Sequence, residues 1–222
     1  KRALILDTGH PDLCGFEALD GVQKTLRIPW SNIEVFLSHF HDDHDGNLLY
    51  CVQKGASKLY SGPTQIDSRT LIDNFLVLSS SVDLKSDSAS SFIRLVAAGK
   101  KAQTCTQGSR IELHGGETLS IAGYPLDVLL TPGHTSNHLC LLDKSKKIFF
   151  AGDHICDAPP GCMQYAINDH LVARYLESLA QLKELNLQAV YMCHHNPLRG
   201  SFEINRFISL IEGRYETLVI RA

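Results

Sequence analysis

Apolar residues at the start of the chain fall into short runs rather than a steady alternation. The run ALILD (residues 3–7) predicts a buried strand, closed by the turn residues Thr8 and Gly9. Phe16, Leu19, Val22 and Leu26 then recur at helical spacing and predict an amphipathic helix. IEVFL (33–37), short and rich in β-branched and aromatic residues, predicts a second buried strand, and GNLLYCVQ (46–53) a short helix. Residues 63–99 are helical in pattern, with Leu71, Phe75 and Leu78 on one face and Phe92 and Val96 on another. The polar break SSSVDLKSDSASS separates the two.

The second half changes period. SRIEL, ETLSI, LDVLLT, HLCLLD and KIFFAG read as short strands about ten residues apart, separated by the turns HGG, PGHTSN and KSK. A long helix follows near 168–185, capped by Asn168 or Asp169, with Leu171, Tyr175, Leu179 and Leu182 on one stripe. QAVYMC is a last strand and 202–215 a last helix. No internal repeat and no Pro- or Gly-rich linker divides the chain, so the pattern predicts one α/β domain over 1–222, mostly antiparallel in its middle. The helical stretch at about 62–99 reads as an insertion. Its apolar stripes must be buried somewhere: against the rest of the fold, as a cap over a site, or against another chain, as in a homodimer.

Length and composition agree with that reading. At 222 residues, 44% hydrophobic and 20% charged, the chain is long enough for a sizeable core. A net charge of -3 without a basic run gives nucleic acid no general electrostatic pull. No apolar stretch approaches the ~20 residues needed to span a bilayer. The seven cysteines are odd in number, scattered and free of any C-x-x-C pair. That argues against a disulfide framework and predicts a reducing, cytoplasmic setting. No signal peptide is visible, although the chain opens at Lys1 without a methionine.

The candidate chemistry sits directly after the second strand. SHFHDDHDGN (38–47) places three histidines and three aspartates within seven positions. His39 and His41 are two apart at a strand end, where alternate side chains share a face and can reach one cation. Asp43 and His44 follow just after the chain turns, where a second cation could lie. Zinc accepts imidazole nitrogen and carboxylate oxygen in such sets, and a catalytic site leaves a position for water. Three later positions each follow an apolar strand: His134 after LDVLLT, Asp153 after KIFFAG, and His194 and His195 after QAVYMC. A His or Asp repeatedly set at a strand end is what a shared site at one rim of a sandwich requires. Other polar residues fit quieter roles. His154 and Cys156 divide between packing beneath a site and substrate contact, and Tyr165 could offer a hydrogen bond to a substrate. His10, His114, His138 and His170 read as structural or solvated, Cys140 and Cys193 as core. Asp42 and Asp45 read as exposed or as the carboxylates that steady a ligand imidazole.

The motifs H-x-H-x-D-H (39–44), TPGHT (131–135) and AGD (151–153), together with a late strand-end His and the opening LDTG (6–9), resemble the metallo-β-lactamase superfamily and occur in its order. The resemblance implies an α/β fold, a four-layer αββα sandwich, with a two-metal site at one edge. By position, His39, His41 and His134 would hold one metal, Asp43, His44 and His195 a second, and Asp153 would bridge both. Matching Pro197 to the family pattern selects His195 over His194. The resemblance further implies two Zn2+ ions, with iron or manganese as alternatives, and a hydrolase in which a bridging hydroxide attacks a carbonyl or phosphoryl centre while Asp43 orients it. The hydroxyacylglutathione hydrolase branch is the nearest in layout, with small esters, thioesters or lactones as substrates. An iron-dependent sulfur dioxygenase and an RNA phosphodiesterase of the same fold are the alternatives. Almost nothing precedes Ala3, where the family usually has strands.

Overall fold

A computed structural model describes residues 1–11, 15–63, 110–121, 123–156 and 171–221, with the side chains of 171 and 216–221 left aside. The helical stretch expected at 62–99, apart from its first two residues, and the cap expected at Asn168 or Asp169 lie outside these. The described residues divide into two compact units: Lys1–Leu113 with Ile121–Gly123, and His114–Ser120 with Tyr124–Ala222.

The first unit is built on a four-stranded sheet in the order β1-β2-β3-β4. Its strands are β1 (Ala3–Leu6), β2 (Ile33–Leu37), β3 (Lys58–Ser61) and β4 (Arg110–Glu112). All three pairings are parallel. Parallel neighbours need long crossovers. Helix α1 (Gly15–Leu26) fills the first; the short α2 (Asp42–Asp45) and α3 (Leu48–Gln53) fill the second. A strand flanked on both sides reads as a continuous apolar run, and every residue of β2 is buried. Glu34 is its one charged member. The Tyr60 hydroxyl donates to the Glu34 carboxylate at 2.9 Å and the Arg2 guanidinium stands 3.6 Å away. Val35, Leu37, Phe40, Leu48, Cys51 and Leu59 form the core here, with Ile5, Leu19 and Trp30 against it.

Two expectations need correction. β1 is an edge strand, so its residues are only half-buried and Leu6 is exposed. The α1 stripe is also only partly used. Leu19 meets the core, whereas Phe16, Val22 and Leu26 are exposed and Phe16 leans on the Tyr50 ring at 5.4 Å.

The second unit carries a six-stranded sheet in the order β10-β9-β8-β7-β6-β5. The strands are β5 (Thr118–Ile121), β6 (Tyr124–Leu130), β7 (Leu139–Asp143), β8 (Ile148–Phe150), β9 (Ala189–Tyr191) and β10 (Leu198–Arg199). β6, β7 and β8 pair antiparallel, as their short turns predict. The KSK turn is shaped by Asp143, whose carboxylate accepts from Ser145 Oγ at 2.6 Å and the Lys146 amide at 3.0 Å. β8 and β9 pair parallel, with helix α4 (Leu171–Glu184) in the crossover. Tyr175, Leu179 and Leu182 of α4 are buried, as the stripe predicts. They join Phe149, Val190 and the Ile204, Ile208 and Ile211 face of α5 (Ser201–Arg221) in one core. No described helix is long and apolar enough to cross a membrane.

Candidate metal centre

In the first unit the candidate ligands gather where β1 and β2 end. Asp7 follows β1 with φ +57°, a left-handed conformation that Asp tolerates better than most residues. There its carboxylate accepts the Ser38 amide at 2.8 Å and the Ser38 hydroxyl at 2.8 Å, closing β2. The same carboxylate meets His44 Nδ1 at 2.9 Å. Thr8 and Asn47 complete the cradle. Thr8 donates from its hydroxyl to the His44 carbonyl at 2.9 Å, and Asn47 donates from its side chain to the carbonyls of Thr8 and Gly9, each at 3.0 Å.

These bonds fix tautomers. A carboxylate only accepts, so His44 carries its proton on Nδ1 and its basic lone pair on Nε2. The Ser38 hydroxyl gives its proton to Asp7, so it accepts from His39 Nδ1 at 2.9 Å. His39 Nε2 is therefore also the basic nitrogen, and it stands 2.9 Å from His41 Nδ1. His44 Nε2 in turn faces the Asp43 carboxylate at 3.6 Å. A basic nitrogen opposed to a carboxylate is an arrangement a cation stabilises, and imidazole Nε2 backed by an Nδ1–H bond to a carboxylate suits zinc-like ions. The donor chemistry fits a divalent metal.

In the second unit, β6 ends in Thr131–Pro132–Gly133–His134. Gly133 has φ +150°, and a Cβ there would overlap the buried ring of Tyr175. Asp153 follows β8 and is buried. Its carboxylate meets His134 Nε2 at 3.5 Å and His194 Nε2 at 3.2 Å. His194 thus reaches Asp153, and His195 lies 3.7 Å from the Cys156 thiol. β9 stops at Tyr191 and the backbone bends over 193–195, so the strand ends before both imidazoles. Strand alternation no longer decides which imidazole faces inward. Among the described residues able to serve as metal ligands are His39, His41, Asp43 and His44 in the first unit and His134, Asp153 and His194 in the second.

His154 is a packing residue. It is fully buried, with Nε2 2.9 Å from the Ser178 hydroxyl, and Tyr175 donates to its carbonyl at 2.9 Å. Burial, aided by the charge on His134, lowers its pKa to about 3. Cys140 is core as expected, whereas Cys193 is exposed. Asp42 faces His10 at 3.7 Å, Asp45 is buried, and the carboxylate that meets His44 Nδ1 is that of Asp7. The signal for Asp7 was present in LDTG, a carboxylate at a strand end beside a turn. The role of His138, buried behind Asp153, left no such signal. Tyr165 lies outside the described residues.

The sequence model of the Metallo-beta-lactamase superfamily matches residues 1–194. Lactamase-like protein adaB of Aspergillus niger is 24% identical over 194 residues, covering 87% of this chain and 46% of that protein. The chain thus spans about half the length of the curated relatives it matches. Among solved structures, a metallo-beta-lactamase family protein from Thermus thermophilus aligns with TM-score 0.76 at 18% identity, over 96% of this chain and 70% of that one. A beta-lactamase domain protein from Burkholderia ambifaria aligns with TM-score 0.66 at 18% identity, over 96% of this chain and 64% of the other. These likenesses show the fold, and it is the α/β metallo-beta-lactamase fold that the motifs implied.

Proposed function

This chain belongs to the metallo-beta-lactamase superfamily, whose members are generally metal-dependent hydrolases, and on that premise we propose that it is a dinuclear zinc hydrolase of small esters, thioesters or lactones. His39, His41 and His134 would hold one ion, Asp43, His44 and His194 the other, and Asp153 would be shared. The observation that carries this reading is the tautomer lock in the first unit. His39 and His44 each commit Nδ1 to a hydrogen bond that leads to Asp7, which leaves both Nε2 atoms basic.

Bound divalent ions would supply a water nucleophile ionised near neutral pH and polarise the group under attack. The chain's own part is orientation. Asp7 and Ser38 hold two imidazoles in place, and Asp153 is held by burial against His134 and His194. Asp43, at 37% side-chain exposure, would orient a water and take its proton. The chain's net charge of -3 supports a small-molecule substrate over nucleic acid.

Elemental analysis of purified protein, followed by a thioester, lactone, phosphodiester and β-lactam panel, tests this. Two zinc ions per chain with turnover of a thioester or lactone is the expected result. Asp153→Ala should lose metal and turnover together. One iron per chain without hydrolysis would replace this reading with the dioxygenase one. An Asp153→Ala variant with full metal content would end the shared-ligand assignment.

A further inference from the structure

His138 is completely buried at the head of β7, and it touches the turns that carry His134 and Asp153. The Asp153 amide donates to His138 Nε2 at 3.2 Å. An amide only donates, so Nε2 holds the lone pair and the ring proton sits on Nδ1. Nδ1 lies 3.0 Å from Thr131 Oγ1, to which it donates. The Thr131 hydroxyl keeps its own proton for the His138 carbonyl at 3.3 Å or the Cys140 sulfur at 3.0 Å. Cys140 continues the network to the Ala151 carbonyl at 3.3 Å, two residues before Asp153. Thr131 opens the turn that ends in His134, and its amide bonds the His138 carbonyl at 2.9 Å.

We propose that His138 is a positioning residue for the metal centre: a neutral imidazole, locked in one tautomer, that joins the Asp153 backbone to the root of the His134 turn. It thereby sets the approach of these two side chains, which meet at 3.5 Å. An imidazole suits this place because it offers one acceptor and one donor on opposite sides of a rigid ring. A hydrophobe would leave the Asp153 amide without its acceptor, and buried groups of that kind cost about 1–3 kcal/mol or move to find water. The inference rests on the reading of Asp153 and His134 as ligands.

Three substitutions separate the two bonds. His138→Phe keeps a ring and makes neither. His138→Gln reaches the Nε2 position, where its amide oxygen can accept the Asp153 N–H. His138→Asn reaches only the Nδ1 position and can serve Thr131 alone. Each metal-free protein is titrated with Zn2+ against a chromophoric chelator and with Co2+ for its visible absorption, beside wild type and Asp153→Ala. The expected result is a 10- to 100-fold loss of affinity in Phe and Asn, with a changed Co2+ spectrum, and Gln within a few-fold of wild type. A Phe variant with wild-type affinity and spectrum, while Asp153→Ala loses metal, overturns this inference alone. So does rescue by Asn and not by Gln. If Asp153→Ala itself binds like wild type, the ligand reading fails and this inference falls with it. Should the Phe variant not fold, the Gln and Asn pair decides in the same way.

Discussion

Acid should destabilise this protein through His154, and the structure sets the size of the effect. Ser178 gives its hydroxyl proton to the Tyr175 carbonyl at 2.8 Å, so it must accept from His154 Nε2. That leaves the lone pair on Nδ1, which is buried and has no hydrogen-bond partner among the described residues. Protonating Nδ1 would create a buried charge with no acceptor, and burial accordingly lowers the pKa from 6.5 to about 3. The sign follows from proton binding. Below pH 6.5 the unfolded chain takes up a proton that the folded chain refuses, so the stabilisation is complete above 6.5 and is lost as pH falls towards 3. The slope is about 1.4 kcal/mol per pH unit, or roughly 3 kcal/mol between pH 6.5 and 4.5. His154→Gln provides the comparison, because its amide can still donate to Ser178 but does not titrate. Urea unfolding of metal-free wild type and variant at pH 7 and pH 4.5 measures both slopes, and removing metal keeps ligand protonation out of the comparison. Wild type should lose about 3 kcal/mol more than the variant over that interval. Equal losses would show that His154 takes up its proton in the folded state, and the burial argument would be wrong.

Further outcomes can be checked alongside it. Asp7→Asn keeps the size of the side chain but weakens its acceptance from His44 and Ser38, so Zn2+ affinity should fall 10- to 100-fold in a chelator competition. Unchanged affinity would remove Asp7 from the centre. His194→Ala should cost one metal by elemental analysis and His195→Ala none, since His194 Nε2 meets Asp153 at 3.2 Å; the reverse would restore the assignment made from Pro197. Gly133→Ala should lower stability by more than about 2 kcal/mol in urea titration, because the new Cβ meets the buried Tyr175 ring at a φ that L-residues avoid. In thiol labelling at pH 8, Cys193 should react quickly and Cys51 not at all, because burial pushes the Cys51 thiol up to about 12.

What the sequence made legible, and what it hid, follows from the range of the interactions. β2 and the α4 stripe could be read because burial acts on each residue in turn: five consecutive core positions in one, a helical repeat ending in Tyr175, Leu179 and Leu182 in the other. β3 escaped because KLYS carries a lysine and a serine around two apolar residues, and β10 because two residues hold no pattern. The parallel course of the first sheet depends on crossovers, which a run of apolar residues does not reveal. The candidate ligands were legible as chemistry, since His and Asp at strand ends are costly to place without use. Their supports were not. Asp7 acts on Ser38 and His44, 31 and 37 positions away, and His138 on Asp153, 15 away. Such bonds depend on which strand ends the sheet brings together. His194 and His195 show the same limit at the scale of one residue. Alternation is a property of extended backbone, and it ceases to apply where β9 stops and the chain bends. From there the turn decides where each imidazole lies: His194 stays exposed yet brings Nε2 to 3.2 Å from Asp153, a placement that its immediate neighbours do not encode.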